Sequence, residues 1–181
     1  SVDIITKDLK QISDEVGAER SPSISPNGKM IAYSFEERRP LAYSPNQVAI
    51  MDINGNNKRI ISKNLDGDAD NLQWSDDNRS IFFSYDERGI RKIGQLMLNG
   101  EIKNIANDLG GTTLGRPYLS GSYHHSAKNI AFTYGGGNRP SDVAVLMNGK
   151  VNVLTELNND LLDQLKLGDI NELVYNLSLI H

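Results

Sequence analysis

Leu119-Ser120-Gly121-Ser122-Tyr123 runs directly into His124 and His125, bringing together the side chains of nucleophilic catalysis. A serine hydrolase needs a serine on a strained elbow, a histidine base and an acid that orients the base. No Gly-x-Ser-x-Gly occurs in the chain, and the stretch around Ser120 and Ser122 reads as strand with polar turns, so no catalytic residue is expected. His124 and His125 are metal-ligand types, but neighbours on a strand point to opposite faces. His181 is the only other histidine and there is no cysteine, so no zinc site is expected. Asp66, Asp68 and Asp70 alternate, with Asp77 eleven residues after Asp66, like the opening of a calcium loop. Asn71 stands where such a loop needs glycine, Asp77 stands where it needs a bidentate glutamate, and Trp74 suits a strand. The stretch therefore reads as a solvated connector. Gly135-Gly136-Gly137 lacks the following Lys-Ser/Thr and the helix of a phosphate cradle and reads as a flexible hairpin loop. Glu36-Glu37-Arg38-Arg39 neutralises itself directly after a strand-like run and reads as a solvated loop. Neither a metal nor a cofactor is expected.

The elements that would position these residues come from a repeat. Ser23-Ile24-Ser25-Pro26-Asn27-Gly28-Lys29-Met30-Ile31-Ala32-Tyr33-Ser34 reads as strand, tight turn, strand, with Pro, Asn and Gly supplying the turn. The unit returns at residues 74–84 and again at 123–133. Ile24, Trp74 and Tyr123 each stand seven residues before Ile31, Ile81 and Ile130, which are 50 and 49 residues apart. Each copy is followed by a second hairpin signal, an Asn-Gly pair between strand-like runs: Asn54-Gly55, Asn99-Gly100 and Asn148-Gly149. Two hairpins per unit make four strands, and a four-stranded unit recurring at this period points to a β-propeller. An all-β sandwich also has short strands and turns, but nothing in a sandwich requires the whole unit to repeat.

The expected fold is all-β: a partial propeller over residues 1–156, with about three four-stranded antiparallel blades at 21–62, 70–106 and 116–155. Residues 1–13 would be outer strands of a preceding blade. Residues 157–181 would form a short C-terminal tail, with a short helix or irregular segment at 157–167 and one more strand at 170–175. Trp74, Ile24 and Tyr123 are expected at matching places on inner strands, with Trp74 largely buried.

The 181 residues suffice for one domain with a core or for part of a larger one. A net charge of −4 argues against a nucleic-acid partner, which needs a basic surface. No apolar run approaches the roughly 20 residues that span a bilayer, so no membrane partner is expected. The absence of cysteine leaves the compartment open between cytoplasm and periplasm.

The Ser-Pro-Asn-Gly-Lys-Met-Ile-Ala-Tyr-Ser unit resembles the propeller repeat shared by TolB-like proteins and the prolyl oligopeptidase family of serine peptidases. The third unit separates the two. Gly110-Gly111-Thr112-Thr113-Leu114-Gly115-Arg116-Pro117-Tyr118-Leu119-Ser120-Gly121-Ser122 and Arg139-Pro140-Ser141-Asp142-Val143-Ala144-Val145 resemble the last blade of bacterial acylaminoacyl-peptidase and dipeptidyl-peptidase types. Leu154-Thr155-Glu156-Leu157-Asn158 and Leu167-Gly168-Asp169-Ile170-Asn171-Glu172-Leu173-Val174-Tyr175 resemble the passage from propeller into hydrolase domain. The resemblance implies a non-catalytic propeller segment that restricts peptide access to an α/β-hydrolase domain of the same parent chain. It makes Arg116, Tyr118 and Arg139 substrate-binding candidates facing that domain, with pairing to a neighbouring blade as their structural alternative. Dipeptidyl-peptidase relatives hold a substrate amino terminus with paired propeller glutamates, but the surrounding motif is absent at Glu36-Glu37, which therefore take no role. Two departures matter. Leu177-Ser178-Leu179-Ile180-His181 does not match the turn that leads into the family's hydrolase domain. Family propellers have about seven or eight blades, so this chain reads as their C-terminal portion, with exposed end blades expected to drive self-association. The other functional class is a stand-alone TolB-like propeller that binds a protein partner.

Overall fold

The computed structural model of the chain describes residues 1–38, 43–111, 120–136, 139–169, 171 and 173. Three four-stranded antiparallel sheets follow one another. The first holds β1 (Gly17–Ile24), β2 (Met30–Glu37), β3 (Gln47–Asp52) and β4 (Arg59–Ile60). The second holds β5 (Asp70–Trp74), β6 (Ser80–Glu87), β7 (Ile90–Met97) and β8 (Ile102–Ala106). The third holds β9 (Tyr123–Ser126), β10 (Asn129–Gly136), β11 (Arg139–Met147) and β12 (Lys150–Val153), and one short helix, α1 (Asn159–Leu162), follows it. Strands are neighbours in sequence order within every sheet, so each is an up-and-down blade, and the fold is a partial β-propeller.

Turn chemistry explains the hairpins. Gly28, Asn78 and Ala127 occupy the same repeat position and share a left-handed backbone, φ 70°, 60° and 52°. In the first two turns a buried serine hydroxyl holds the corner: Ser25 Oγ accepts from the Met30 amide at 2.9 Å, and Ser75 Oγ from the Ser80 amide at 3.0 Å. At the Asn-Gly hairpins, Gly55 and Gly100 alone turn left-handed, whereas Asn148 and Gly149 both do, the type I′ geometry.

The blades stack by alternation. On β6, Ile81, Phe83 and Tyr85 join Ala32, Val48, Ile50 and Trp74 in the core between the first and second blades. Phe82 points the other way and packs with Tyr123, Ile130, Phe132 and Ala144 between the second and third. Trp74 and Tyr123 are buried, as their repeat position predicts, but Ile24 at that position is 60% exposed, because no described blade precedes the first. The face of the first blade bearing Tyr33, Phe35, Ala49 and Met51 is covered instead by the N-terminal segment, with Ile12 packed on it.

Other expectations are corrected. Glu36 and Glu37 belong to β2 rather than to a loop, and Glu36 pairs with Arg20 at 2.8 Å. Gly135 and Gly136 end β10 instead of forming a flexible loop. Its Gly135 lies against Gly110, which close backbone contact requires to be glycine, since a Cβ on Gly110 would lie 2.6 Å from the Gly135 Cα. Residues 1–13, read as two strands, are joined by the single bridge Val2–Leu9. No described helix is long and apolar enough to cross a membrane.

Candidate functional site

The first strands of the blades stand side by side and are tied by side chains. Trp74 Nε1 donates to the Ser23 carbonyl at 2.9 Å. Gln73 Nε2 donates to the Tyr123 carbonyl at 3.0 Å, its Oε1 accepts from the His125 amide at 2.9 Å, and the Tyr123 hydroxyl donates to the Asn71 carbonyl. Burial in this contact pushes the Tyr123 phenol well above its ordinary pKa. Both β1 and β5 carry a register shift at left-handed residues in one repeat position, Ser21 and Asn71. Such bulges re-aim side chains. Here they open a polar cleft of about 380 Å³ between the inner strands, lined by Ser21, Asp70, Asn71, Arg91, Ser122 and Thr133 among others.

Arg91 is the buried charge of this cleft, with 8% of its side chain exposed. Its Nη1 meets Asp86 at 3.0 Å, and its Nη2 meets Asp70 at 3.1 Å and Ser84 Oγ at 3.0 Å. Burial raises the Asp86 pKa, an effect that Arg91 opposes. The chemistry available is therefore that of hydroxyls, an amide and a buried ion-pair cluster in which Arg91 Nε and Asp86 Oδ1 have no partner among the described residues, suited to hydrogen bonding a polar ligand.

Among the described residues, no serine is hydrogen-bonded to a histidine in the manner of a triad. His125 stacks on Phe82 with ring centroids 4.4 Å apart, and its Nε2 lies 2.8 Å from the Ala127 carbonyl, which requires the Nε2–H tautomer. His124 sits on the opposite, exposed side of β9. The aspartates are divided: Asp68 accepts from the Asn46 amide at 2.7 Å while Asp70 holds Arg91. Among the described residues no His, Asp and Glu cluster could hold a metal ion.

Of the three substrate-binding candidates, Arg116 and Tyr118 lie outside the described residues, as does Arg39. Arg139 donates through Nε to Asp142 at 2.9 Å and through Nη2 to Asn159, so its guanidinium ties its own blade to α1. Asp142, with 1% of its side chain exposed, is the centre of that junction. Its Oδ1 also accepts from the Thr155 hydroxyl and the Leu157 amide, each at 2.9 Å. The Leu157 amide, then Arg139 and Thr155, hold its carboxyl below the usual carboxylate range against the opposing effect of burial. A depressed folded pKa means that the stabilisation is present above the unfolded value, about 4 for Asp, and is lost as pH falls through the folded one. The protection factor of the Leu157 amide is therefore expected to hold near neutral pH and fall below about pH 4. Asp142→Ala should remove it at neutral pH and speed proteolytic cleavage after residue 154; an unchanged protection factor in that variant would contradict this reading.

Sequence reasoning did not single out Arg91 or Asp142. A usable signal existed for both. Arg88 and Gly89, both left-handed, form a two-residue turn that sets Asp86 directly opposite Arg91. Asp142 shares strand parity with Ala144 and Leu146 on the buried side of β11, where a carboxylate needs partners.

No family model matches the chain, and no curated protein does. Solved structures do. TolB from Acinetobacter baumannii is similar at 21% identity and TM-score 0.61, over 86% of this chain and 36% of that one. Puromycin hydrolase, solved as its S511A mutant complexed with PGG, is similar at 15% identity and TM-score 0.59, over 78% and 22%. Acylaminoacyl peptidase from Pyrococcus horikoshii is similar at 16% identity and TM-score 0.51, over 76% and 25%. The chain thus spans about a third or less of each of these proteins. At such identities the likeness shows the fold alone, that of a propeller.

Proposed function

We propose that the chain is a non-catalytic propeller segment of a prolyl oligopeptidase-type serine peptidase, restricting access to a hydrolase domain of its parent so that peptides enter and folded proteins do not. The observation that carries this reading is the inner-strand cleft. Its hydroxyls and its internally paired Arg91 offer hydrogen bonds to a polar chain but no nucleophile with a base. The motifs around residues 110–122 and 139–145 favour the peptidase parent. The likeness to TolB favours a second reading, a protein-binding propeller without chemistry.

The test uses a fluorophosphonate probe and chromogenic acyl-amino-acid and dipeptide substrates. The purified chain should neither label nor turn over substrate, and the natural full-length product should label on a serine outside these residues and hydrolyse short peptides. Inhibitor-sensitive turnover by the chain alone would overturn the non-catalytic role. A natural product with no reactive serine would leave the TolB-like reading standing instead.

A further inference from the structure

We propose that Asn148-Gly149 is a site of covalent self-modification in the folded chain. The Asn148 side-chain amide is lost through a succinimide ring, and water then leaves aspartate or isoaspartate at position 148. The inference stands on one hairpin and is independent of the peptidase and TolB-like readings.

Asn-Gly occurs four times in the sequence, at Asn27-Gly28, Asn54-Gly55, Asn99-Gly100 and Asn148-Gly149. The pair suits ring closure because glycine has no Cβ to crowd its own backbone nitrogen. That nitrogen must be free to attack, and in the first three turns it is engaged. Gly28, Gly55 and Gly100 donate their amides to the carbonyls of Ser25, Asp52 and Met97 at 2.8, 2.8 and 2.9 Å. Two of these turns hold the asparagine as well. Asn27 Oδ1 accepts from Ser25 Oγ and from the Lys29 amide, and Asn99 Oδ1 accepts from the Glu101 amide at 3.1 Å. Gly55 is further fixed by packing, since a Cβ there would lie 2.2 Å from the Ile12 carbonyl oxygen.

The third blade departs because its turn is of another type. Met147 pairs with Lys150, so Asn148 and Gly149 alone make the corner, and both are left-handed, φ 50° and 74°. In such a turn the flanking residues make the ladder bonds and the central amides are left to solvent. Among the described residues the Gly149 amide has no acceptor and the Asn148 side chain no partner. Both residues are exposed, and nothing beyond the chain neighbours lies within 4 Å of where a Cβ on Gly149 would stand. The local opening that brings the side chain over the nitrogen is also cheap. All four residues of β12 are exposed, whereas β4 and β8 carry Ile60 and Ala106 into cores. Sparsely packed elements open at low free energy.

The atoms balance with water as the only co-reactant. The Gly149 nitrogen bonds to Asn148 Cγ, the Cγ–Nδ2 bond breaks, and Nδ2 leaves as ammonia with the displaced amide proton. Water then opens the ring at either carbonyl. Breaking the new N–Cγ bond leaves aspartate; breaking the original peptide bond leaves isoaspartate, with the main chain rerouted through Cγ. Isoaspartate lengthens the main chain within a two-residue turn, which disturbs the register it sets. Just beyond β12, the Leu154 amide donates to the Val143 carbonyl at 2.7 Å and the Thr155 hydroxyl to Asp142 at 2.9 Å. Modification should therefore loosen the junction that holds α1.

The test holds the purified chain in mildly alkaline buffer made with heavy-oxygen water and follows its peptides by mass spectrometry against synthetic aspartate and isoaspartate standards. Position 148 should take up solvent oxygen at least about tenfold faster than positions 27, 54 and 99. In denaturant the four rates should converge, because glycine follows each asparagine. Asn148→Gly accepts the left-handed turn and should abolish the early acidic species without changing the far-ultraviolet circular dichroism. In the separated isoaspartate species, hydrogen exchange at the Leu154 amide should be about tenfold faster than in the unmodified chain. Modification of any other Asn-Gly pair as fast as Asn148-Gly149 in the folded chain, or modification of position 148 in denaturant alone, would overturn the site. Unchanged exchange at Leu154 would overturn its link to α1.

Discussion

Trp74→Ala is expected to lower the unfolding free energy by about 3–5 kcal/mol, the usual cost of truncating a buried Trp. Trp74 is 6% exposed and packs with Ala32, Ile50, Ile81 and Phe83, filling the junction of two blades. It also donates from Nε1 to the Ser23 carbonyl at 2.9 Å. Trp74→Phe should therefore keep much of the packing and lose the hydrogen bond, a smaller cost of about 1–2 kcal/mol. The control is Ile24→Ala. Ile24 holds the same repeat position, but its 60% exposure predicts a change within about 0.5 kcal/mol when the chain is dilute enough to be monomeric. Denaturant midpoints followed by far-ultraviolet circular dichroism compare the three, since Trp74 is the sole tryptophan and its fluorescence disappears with it. Equal losses at Trp74 and Ile24 would mean that a repeat position, not the presence of a preceding blade, sets burial.

That pair also marks how far the sequence could be read. The spacing Ile31, Ile81, Ile130 and the Asn-Gly turns are local signals, and local signals carry the four-strand unit because register follows from turn geometry. Burial of Ile24 is not local. It depends on a neighbour supplied by other parts of a chain, which no periodicity within the unit encodes. Arg139 was legible as a charged residue at a strand start but not as the clamp on α1, because its partner Asn159 lies 20 residues away across a break in the pattern. Arg91 was hidden for another reason: Arg88-Gly89-Ile90-Arg91-Lys92 has the composition of a solvated turn. Only the cross-strand partner Asp86, fixed by the turn, shows why one of its cations is buried. Glu36 and Glu37 failed in the opposite direction. Charge suggested a loop, but an outer portion of a strand tolerates a charged pair when Arg20 lies on the adjoining strand.

Phe83→Ala should cost as much as the tryptophan truncation, about 3–5 kcal/mol, and its pairing with Gly94 provides a sharper test than the magnitude alone. Phe83 is 0% exposed and stacks with Tyr85, ring centroids 5.2 Å apart. Directly across the hairpin is Gly94, where a Cβ would stand 2.6 Å from the Phe83 ring and 3.0 Å from that of Tyr85. Gly94 is thus glycine for space, since its backbone lies outside the left-handed region. Gly94→Ala should then be destabilising by about 1–3 kcal/mol through overpacking. The two sites share one volume, so their costs cannot be independent. In Phe83→Ala the added methyl of Gly94→Ala would occupy part of the space vacated by the ring and remove the clash at the same time. The double variant should be more stable than the sum of the single losses predicts, with a coupling of about 0.5–3 kcal/mol. Additivity within about 0.5 kcal/mol would show that Gly94 is required for something other than the Phe83 ring.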